Sequence, residues 1–290
     1  MTTEPSAIVA SRAFGDATVT IISDGMLQAA PMISWLGVSE REARAAMPEA
    51  DPAGTMAIGM NVAHVRIGDA SILLDPGWGE LDPSSWLVTE LGGERSPGVQ
   101  AGLASLSIQP DRITHVLISH AHDDHFTGST VAVNGRRQPR YPRARYLLGR
   151  ADWEGNPRRA DPASEVSEHL GALDRLGRLD LVDDDFEVVP GVTMIHAPGE
   201  SPGHSIMRVE SRGAVFYYLG DLIHHPCEIS RLDWILFERD EEARRAAHAS
   251  KARLAAAAAA ERAALIFTHG RFPGWGRIVP DGGGFQWQYE

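Results

Sequence analysis

The chain has a single cysteine, Cys227, in 290 residues. No intrachain disulfide can form, which fits a reducing compartment. Basic residues are also scarce: 27 Lys and Arg stand against 39 Asp and Glu, for a net charge of -12. A general nucleic-acid binder needs a basic face, and this balance argues against one. No stretch approaches 18 uninterrupted apolar residues, so no membrane span is expected. The opening "MTTEPSAIVASRAF" lacks a positive cluster followed by an apolar run, and so does not read as a signal peptide. These absences together lead to the expectation of a cytoplasmic protein. What is present looks globular: 43% hydrophobic and 23% charged residues. No Ser/Pro/Gly linker divides the chain, so residues 1–290 are read as one domain.

Strands dominate the pattern. "DATVTIISDG" (16–25) reads as a strand ending at an Asp-Gly turn, and "NVAHVRIGDASILLDPGWG" (61–79) as a hairpin followed by a Gly/Pro loop. Between them, Ser39 followed by acidic and Ala-rich residues signals a helix start. "ITHVLISH" (113–120) reads as a buried strand, and "ARYLLG" (144–149) as another. Residues 161–179 read as an amphipathic helix. Two short strands follow about a Pro-Gly turn in 186–199, then a hairpin in 204–221. Residues 240–265 form the strongest helix pattern, with acids at its start as the helix dipole favours. "ALIFTHG" (264–270) reads as a strand, and the tail as a final hairpin.

Three of the 12 histidines fall within the six residues "HAHDDH" (120–125). His120 and His122 are two apart, so from an extended segment both can face one ion. Asp124 and His125 are adjacent and suit a second ion beyond a tight turn. Further candidates stand at strand ends beside small residues: His204 after "SPG", Asp221 after "YYLG", and His269 before a glycine. Five histidines and two aspartates divide into about three protein ligands per ion, with one carboxylate shared.

With these residues in place, the sequence resembles the metallo-β-lactamase-fold hydrolases. The family pattern HxHxDH is present as "HAHDDH", and its "GHTPGH" element is altered to "GESPGH" (199–204). The resemblance implies an α/β fold, an αβ/βα four-layer sandwich with metals at one sheet edge. It implies that His120, His122 and His204 hold one ion, that Asp124, His125 and His269 hold the other, and that Asp221 bridges. Asp124, Asp221 and His224 are then expected to take direct part in catalysis. Two divalent transition ions are implied. Zn2+ is expected from the histidine-rich set, while the oxygen ligands also admit Mn, Fe or Co. Glu200 stands where relatives often have a histidine that is not a ligand, and is expected to be a loop or outer residue. Asp24 and Asp75 match strand-end aspartates that support ligand histidines, although plain turn chemistry explains them equally well.

"GDLIHHP" (220–226) resembles a branch holding acyl-homoserine-lactonase-like and methyl-parathion-hydrolase-like enzymes. In well-known lactonases a tyrosine stands three residues after the bridging aspartate, and here that place is His224. An imidazole there either polarises a carbonyl or donates a proton, or only packs a turn. Cys227 reads as a small buried hydrophobe and not a nucleophile.

The expected reaction is hydrolysis of a lactone or ester by a hydroxide bridging two metals, acting on a small neutral or apolar substrate. The alternatives are a phosphotriester (organophosphate) hydrolase, a β-lactamase, a thioesterase and a metal-dependent oxidoreductase. The apolar stretch "MLQAAPMISWL" (26–36) reads either as a lip over the metals or as core or a subunit interface. In the lip reading Met26, Ile33, Trp35 and Leu36 touch substrate, and Phe126 and Trp153 are similar candidates. A homodimer is expected, partly because this stretch needs cover.

Overall fold

The computed structural model describes residues 8–80, 84–236 and 239–290. Among these, the strands form two large mixed sheets and one small hairpin. The first sheet has eight strands. Seven lie in the order Val9–Phe14, Ala17–Ala30, Met56–Ile67, Ala70–Leu74, His115–Leu117, Arg145–Gly149 and Leu179–Val182. Gly93–Arg95 pairs with the second of these strands. The second sheet has seven strands, running from Phe186–Val189 to the terminal hairpin Gly276–Asp281 and Gly284–Tyr289.

Side-chain alternation explains why the sheets stack. Along Ala70–Leu74, Ile72 and Leu74 face one core while Leu73 faces another. Along Arg145–Gly149, Leu147 joins the first core and Tyr146 and Leu148 the second. Successive residues of a strand point to opposite faces, so a strand apolar on both faces must be covered on both. The inner core joins Val19, Ile21 and Leu117 of the first sheet to Met207, Phe216 and Ile266 of the second. The first sheet's outer face is covered by Val99 and Leu103 of the helix Gly98–Ser105, and by Val166, Leu170 and Leu173. The second sheet's outer face is covered by Leu254, Ala255 and Ala258 of the helix Glu241–Glu261. Helix, sheet, sheet and helix make the expected αβ/βα sandwich. Truncating an inner residue such as Phe216 to Ala should cost about 3–5 kcal/mol.

Local signals hold at several ends. Ser39 caps the helix Glu40–Ala46 by accepting from the Glu42 amide, and the Glu42 carboxylate reaches back to the Ser39 hydroxyl. Asp240 caps Glu241–Glu261 by accepting from the Ala243 amide at 2.8 Å.

Two sequence expectations need correction, and one element went unread. The strand from Ala17 does not stop at Asp24-Gly25. Gly25, with φ of 145°, sits at a register shift between Ser23 and Gly25, and the strand continues to Ala30. Residues 161–179 do not form one helix. Asp161 accepts from the Ala163 amide in a turn, and a π-helical turn at Val166–Leu170 then leads into a short α-helix at Gly171–Arg175. The hairpin Thr130–Val133 and Arg136–Pro139 adds an element the pattern reading passed over. Its turn, Asn134-Gly135, takes positive φ at both residues.

The stretch 26–36 is largely covered by its own fold. Leu27, Ala30, Met32, Ile33 and Leu36 are buried in one cluster with Ile58, Met60, Trp78 and Leu236. The ground for a dimer offered by this stretch is therefore removed. Among the described residues, no helix is long and apolar enough to cross a membrane.

Candidate metal centre

The candidate ligands stand at strand ends of both sheets: His120 to His125 follow His115–Leu117 of the first, while His204 precedes Ser205–Ser211 and Asp221 and His269 follow Ala214–Tyr218 and Ala264–Ile266 of the second. His120 follows the strand His115–Leu117, and His122 is extended (φ -94°, ψ 145°) just before a helical turn at Asp123–Phe126. That single turn carries Asp124 and His125 round to a second position, as the adjacency of the two residues requires.

Two groups of donor atoms result. In the first, His120, His122, Glu200 and Asp221 place one atom each within 4.8 Å of one another. In the second, Asp124, His125 and His269 do the same. Asp221 Oδ2 connects them, 3.9 Å from His120 Nε2, 3.3 Å from His125 Nε2 and 3.1 Å from His269 Nε2. Asp124 Oδ2 stands 3.5 Å from both His125 Nε2 and His269 Nε2.

Outward hydrogen bonds set the histidine tautomers. His125 Nδ1 donates to Asp75 Oδ2 at 2.8 Å. His269 Nδ1 donates to the Gly59 carbonyl and His204 Nδ1 to the Ala197 carbonyl, both at 3.1 Å. A carbonyl or carboxylate oxygen only accepts, so the proton is on Nδ1 and the Nε2 lone pair faces inward. Inside the centre, His120 Nε2, His125 Nε2, Glu200 Oε1 and Asp221 Oδ1 are buried without hydrogen-bond partners. Converging, unsatisfied acceptors of this kind fit cations between them.

The electrostatics agree. Burial, helped by neighbouring histidines, pushes His120 well below its ordinary value and keeps the ring neutral. Burial also lowers His204, to about 3. At His125 burial again opposes charge, but the carboxylates of Asp221, Asp124 and Asp75 outweigh it and raise the imidazole well above its ordinary value. Burial disfavours the Asp221 carboxylate, yet His125, His269 and His224 hold its pKa well below the ordinary range. This field favours positive charge at the junction of the two groups.

His204 is beside the first group and not within it. Its Nε2 accepts the Asp221 amide at 3.2 Å, and its ring centre is 5.2 Å from that of His120. Gly220 permits this approach, because a Cβ there would be 2.9 Å from His204 Nε2. Glu200, expected to be an outer residue, instead supplies the fourth donor of the group.

Asp75 does support a candidate ligand. Besides His125, it accepts from the Ser119 amide at 2.6 Å, the Ser119 hydroxyl at 2.7 Å and the Tyr218 hydroxyl at 3.1 Å. Asp24 accepts from the amides of Trp78 and Val99, both at 3.0 Å, and so ties its strand to two segments distant in sequence instead of forming a local turn.

Sequence reasoning missed Asp152. This buried carboxylate accepts from the Ala121 amide at 3.0 Å, Ser201 Oγ at 2.7 Å and the Gly203 amide at 2.6 Å. It thereby ties the "HAHDDH" loop to the "GESPGH" loop. Its only signal was a polar residue just after an apolar strand, which is common.

A cavity of about 240 Å³ opens on the centre. Leu27, Trp35, Ile58, Leu87, Leu91 and Leu236 form its apolar wall and His122, Asp124, Asp221, His224 and His269 its polar floor, and the ion pair of Arg158 and Asp123 also lines it. His224 Nε2 is 3.3 Å from Asp221 Oδ2. Burial opposes charge on this ring, but Asp221, Glu200 and Glu228 raise its pKa. Phe126 and Trp153 do not reach the cavity. Both are buried in the outer core of the first sheet, where flanking strand and helix side chains surround them. Ile33 and Leu36 pack behind the wall, and Met26 is exposed. Cys227 is partly buried, and burial lifts its thiol to about 12, which suits no nucleophile.

The profile of the Metallo-beta-lactamase superfamily matches residues 60–269, from the strand Met56–Ile67 to His269. The chain belongs to this superfamily. An N-acyl homoserine lactonase of Bacillus thuringiensis is 27% identical over 110 residues, which is 38% of this chain and 38% of that protein. The aligned part therefore spans well under half the length of that relative. Among solved structures, the hydrolase AbOPH superposes with a TM-score of 0.79 at 19% identity, covering 99% of each chain. AidC, a dizinc quorum-quenching lactonase, gives 0.77 at 20% identity, again over 99% of each chain. At these identities the structural likeness carries the fold.

Proposed function

We propose that this superfamily member is a binuclear metallohydrolase that opens a lactone or a carboxylic ester in a small, largely neutral substrate. The observation that carries the reading is the cavity, whose leucine, isoleucine and tryptophan wall meets a floor of histidine and aspartate. An acyl or ring body fits the wall while its carbonyl reaches the floor. The name of the Bacillus thuringiensis relative supports a lactone over a β-lactam or phosphodiester.

In this reading His120, His122 and His204 would hold one divalent ion, Asp124, His125 and His269 would hold the other, and Asp221 would be shared. Two such ions, Zn2+ or alternatively Mn, Fe or Co, would acidify a water held between them, from 15.7 in bulk to about 7, and draw charge from the substrate carbonyl. The protein side chains do the rest. The apolar wall seats the substrate and excludes bulk water. Asp221 and Asp124 keep the inward histidine nitrogens in register. His224, beside Asp221 and lining the cavity, can hydrogen-bond the substrate carbonyl or give a proton to the leaving oxygen. A homodimer remains part of the proposal by likeness to related enzymes, and light scattering at micromolar concentration tests it.

The deciding experiment is a parallel screen of metal-loaded protein, with elemental analysis of the same sample. Substrates should include acyl-homoserine lactones, simple γ- and δ-lactones, aryl esters, a phosphotriester, a phosphodiester, a glutathione thioester and a cephalosporin. Two ions per chain with fast lactone opening, lost in Asp221→Ala, is the expected result. Dominant phosphoester or β-lactam turnover with negligible lactone opening would overturn it.

A further inference from the structure

Glu200 stands where enzymes with the "GHTPGH" element often have a histidine that is no ligand, yet its side chain is only 3% exposed and points into the first donor group. Its two oxygens have different surroundings. Oε2 is held by the Arg239 guanidinium. Oε1 is buried, has no hydrogen-bond partner, and lies 3.5 Å from His122 Nδ1. That separation is long for a hydrogen bond. It matches two ligands of one ion: donor atoms about 2.1 Å from a metal at a tetrahedral angle are roughly 3.4 Å apart.

The backbone gives Glu200 little freedom. Gly199 adopts φ of 146°, and a Cβ there would be 2.4 Å from Ala247 Cα, so the loop is pressed against the long helix. Ser201, the next residue, is tied to Asp152 at 2.7 Å. With the loop held on both sides and Oε2 fixed by Arg239, Oε1 has one direction to face. A buried anionic oxygen left without a partner is unfavourable, and a cation beside it removes the penalty.

We propose that Glu200 is a direct ligand of the ion held by His120 and His122, giving that site a second carboxylate besides Asp221. This rests on the binuclear reading above. Carboxylate donors suit Mn2+ better than imidazole donors do, so Glu200 also moves the metal preference of this site toward harder ions.

The test compares wild-type holoprotein with Glu200→Gln, a substitution of similar shape that still offers an oxygen to Arg239. Metal content, chelator competition and the visible absorption of the Co2+-loaded protein are measured for both. The expected result is two ions in the wild type. In the variant one ion should become about 10–100-fold easier to remove, with an altered Co2+ band and a lower ratio of Mn2+ to Zn2+ affinity. Glu200→Asp, which keeps the charge but draws the oxygen back, should show the same loss and serves if Glu200→Gln folds poorly. Variants that retain both ions within twofold of wild-type affinity, with an unchanged Co2+ spectrum, would overturn the role of Glu200 alone. A wild type that never holds more than one ion would overturn the binuclear reading and this proposal with it.

Discussion

Glu228 and Lys251 meet directly beneath the loop that carries His224, with side-chain exposures of 1% and 2%. Glu228 Oε1 accepts the amides of His224 at 2.8 Å and His225 at 3.1 Å, while Oε2 takes the Lys251 ammonium. Lys251 also donates to the Trp234 carbonyl at 2.7 Å. The pair thus anchors the cavity-lining His224 to the helix Glu241–Glu261. Lys251→Met leaves a buried carboxylate without its cation and should cost about 3–5 kcal/mol in urea unfolding. Replacing both partners, as Glu228→Gln with Lys251→Met, should cost less than the single change. A single-variant loss under about 1 kcal/mol would mean that the pair contributes little.

The same pair predicts a pH dependence. Burial alone would raise the Glu228 pKa, but Lys251 and His224 outweigh it and hold it below its ordinary 4.5. A depressed folded pKa contributes stability that is full above the unfolded value and is lost as pH falls through the folded value. Wild-type Tm should therefore fall more steeply than that of the double variant as pH drops below the ordinary glutamate value of 4.5. Parallel Tm profiles for the two proteins would count against this contribution.

His224→Phe keeps an aromatic ring, somewhat larger than the imidazole, and removes the polar nitrogens. Turnover should fall about 10²–10⁴-fold if His224 polarises or protonates the substrate. Metal content should stay at the wild-type level, because His224 is not among the donor groups. Full activity with full metal would assign the ring a packing role.

Asp75→Asn weakens the acceptor that orients His125 and also binds Ser119 and Tyr218. The ion at Asp124, His125 and His269 should then bind about 10–100-fold more weakly in chelator competition. Affinity within twofold of wild type would show that His125 keeps its tautomer without this carboxylate.

Much of the centre was legible because its residue types are chemically unusual in combination. His120, His122, Asp124 and His125 are close in sequence, and strand-end positions made Asp221 and His269 stand out. The strands on either side could be read from apolar alternation, since a covered sheet demands it. The Asp24-Gly25 turn misled because that dipeptide serves a hairpin and a bulge alike, and pairing with Met56–Ile67 selected the bulge.

The aromatic residues failed for a related reason. Phe126 and Trp153 are next to centre residues in sequence, but a helical turn sends neighbouring side chains to different faces, and both enter the outer core. The stretch 26–36 could not be assigned from hydrophobicity, which says that a residue will be covered and not by what.

The sequence by itself determined the donor inventory and the alternating strands, because metal chemistry and the pleat each restrict residue type at short spacing. Only the tertiary structure decided that Glu200 turns inward, that His204 binds the Asp221 amide, and that Asp152 joins two loops 31 and 51 residues away from it. These relations depend on close approach of segments far apart in the chain. Gly203 allows one such approach, since a Cβ there would lie 2.6 Å from the Asp152 amide nitrogen. Such distances arise when two sheets pack, and no local pattern encodes them.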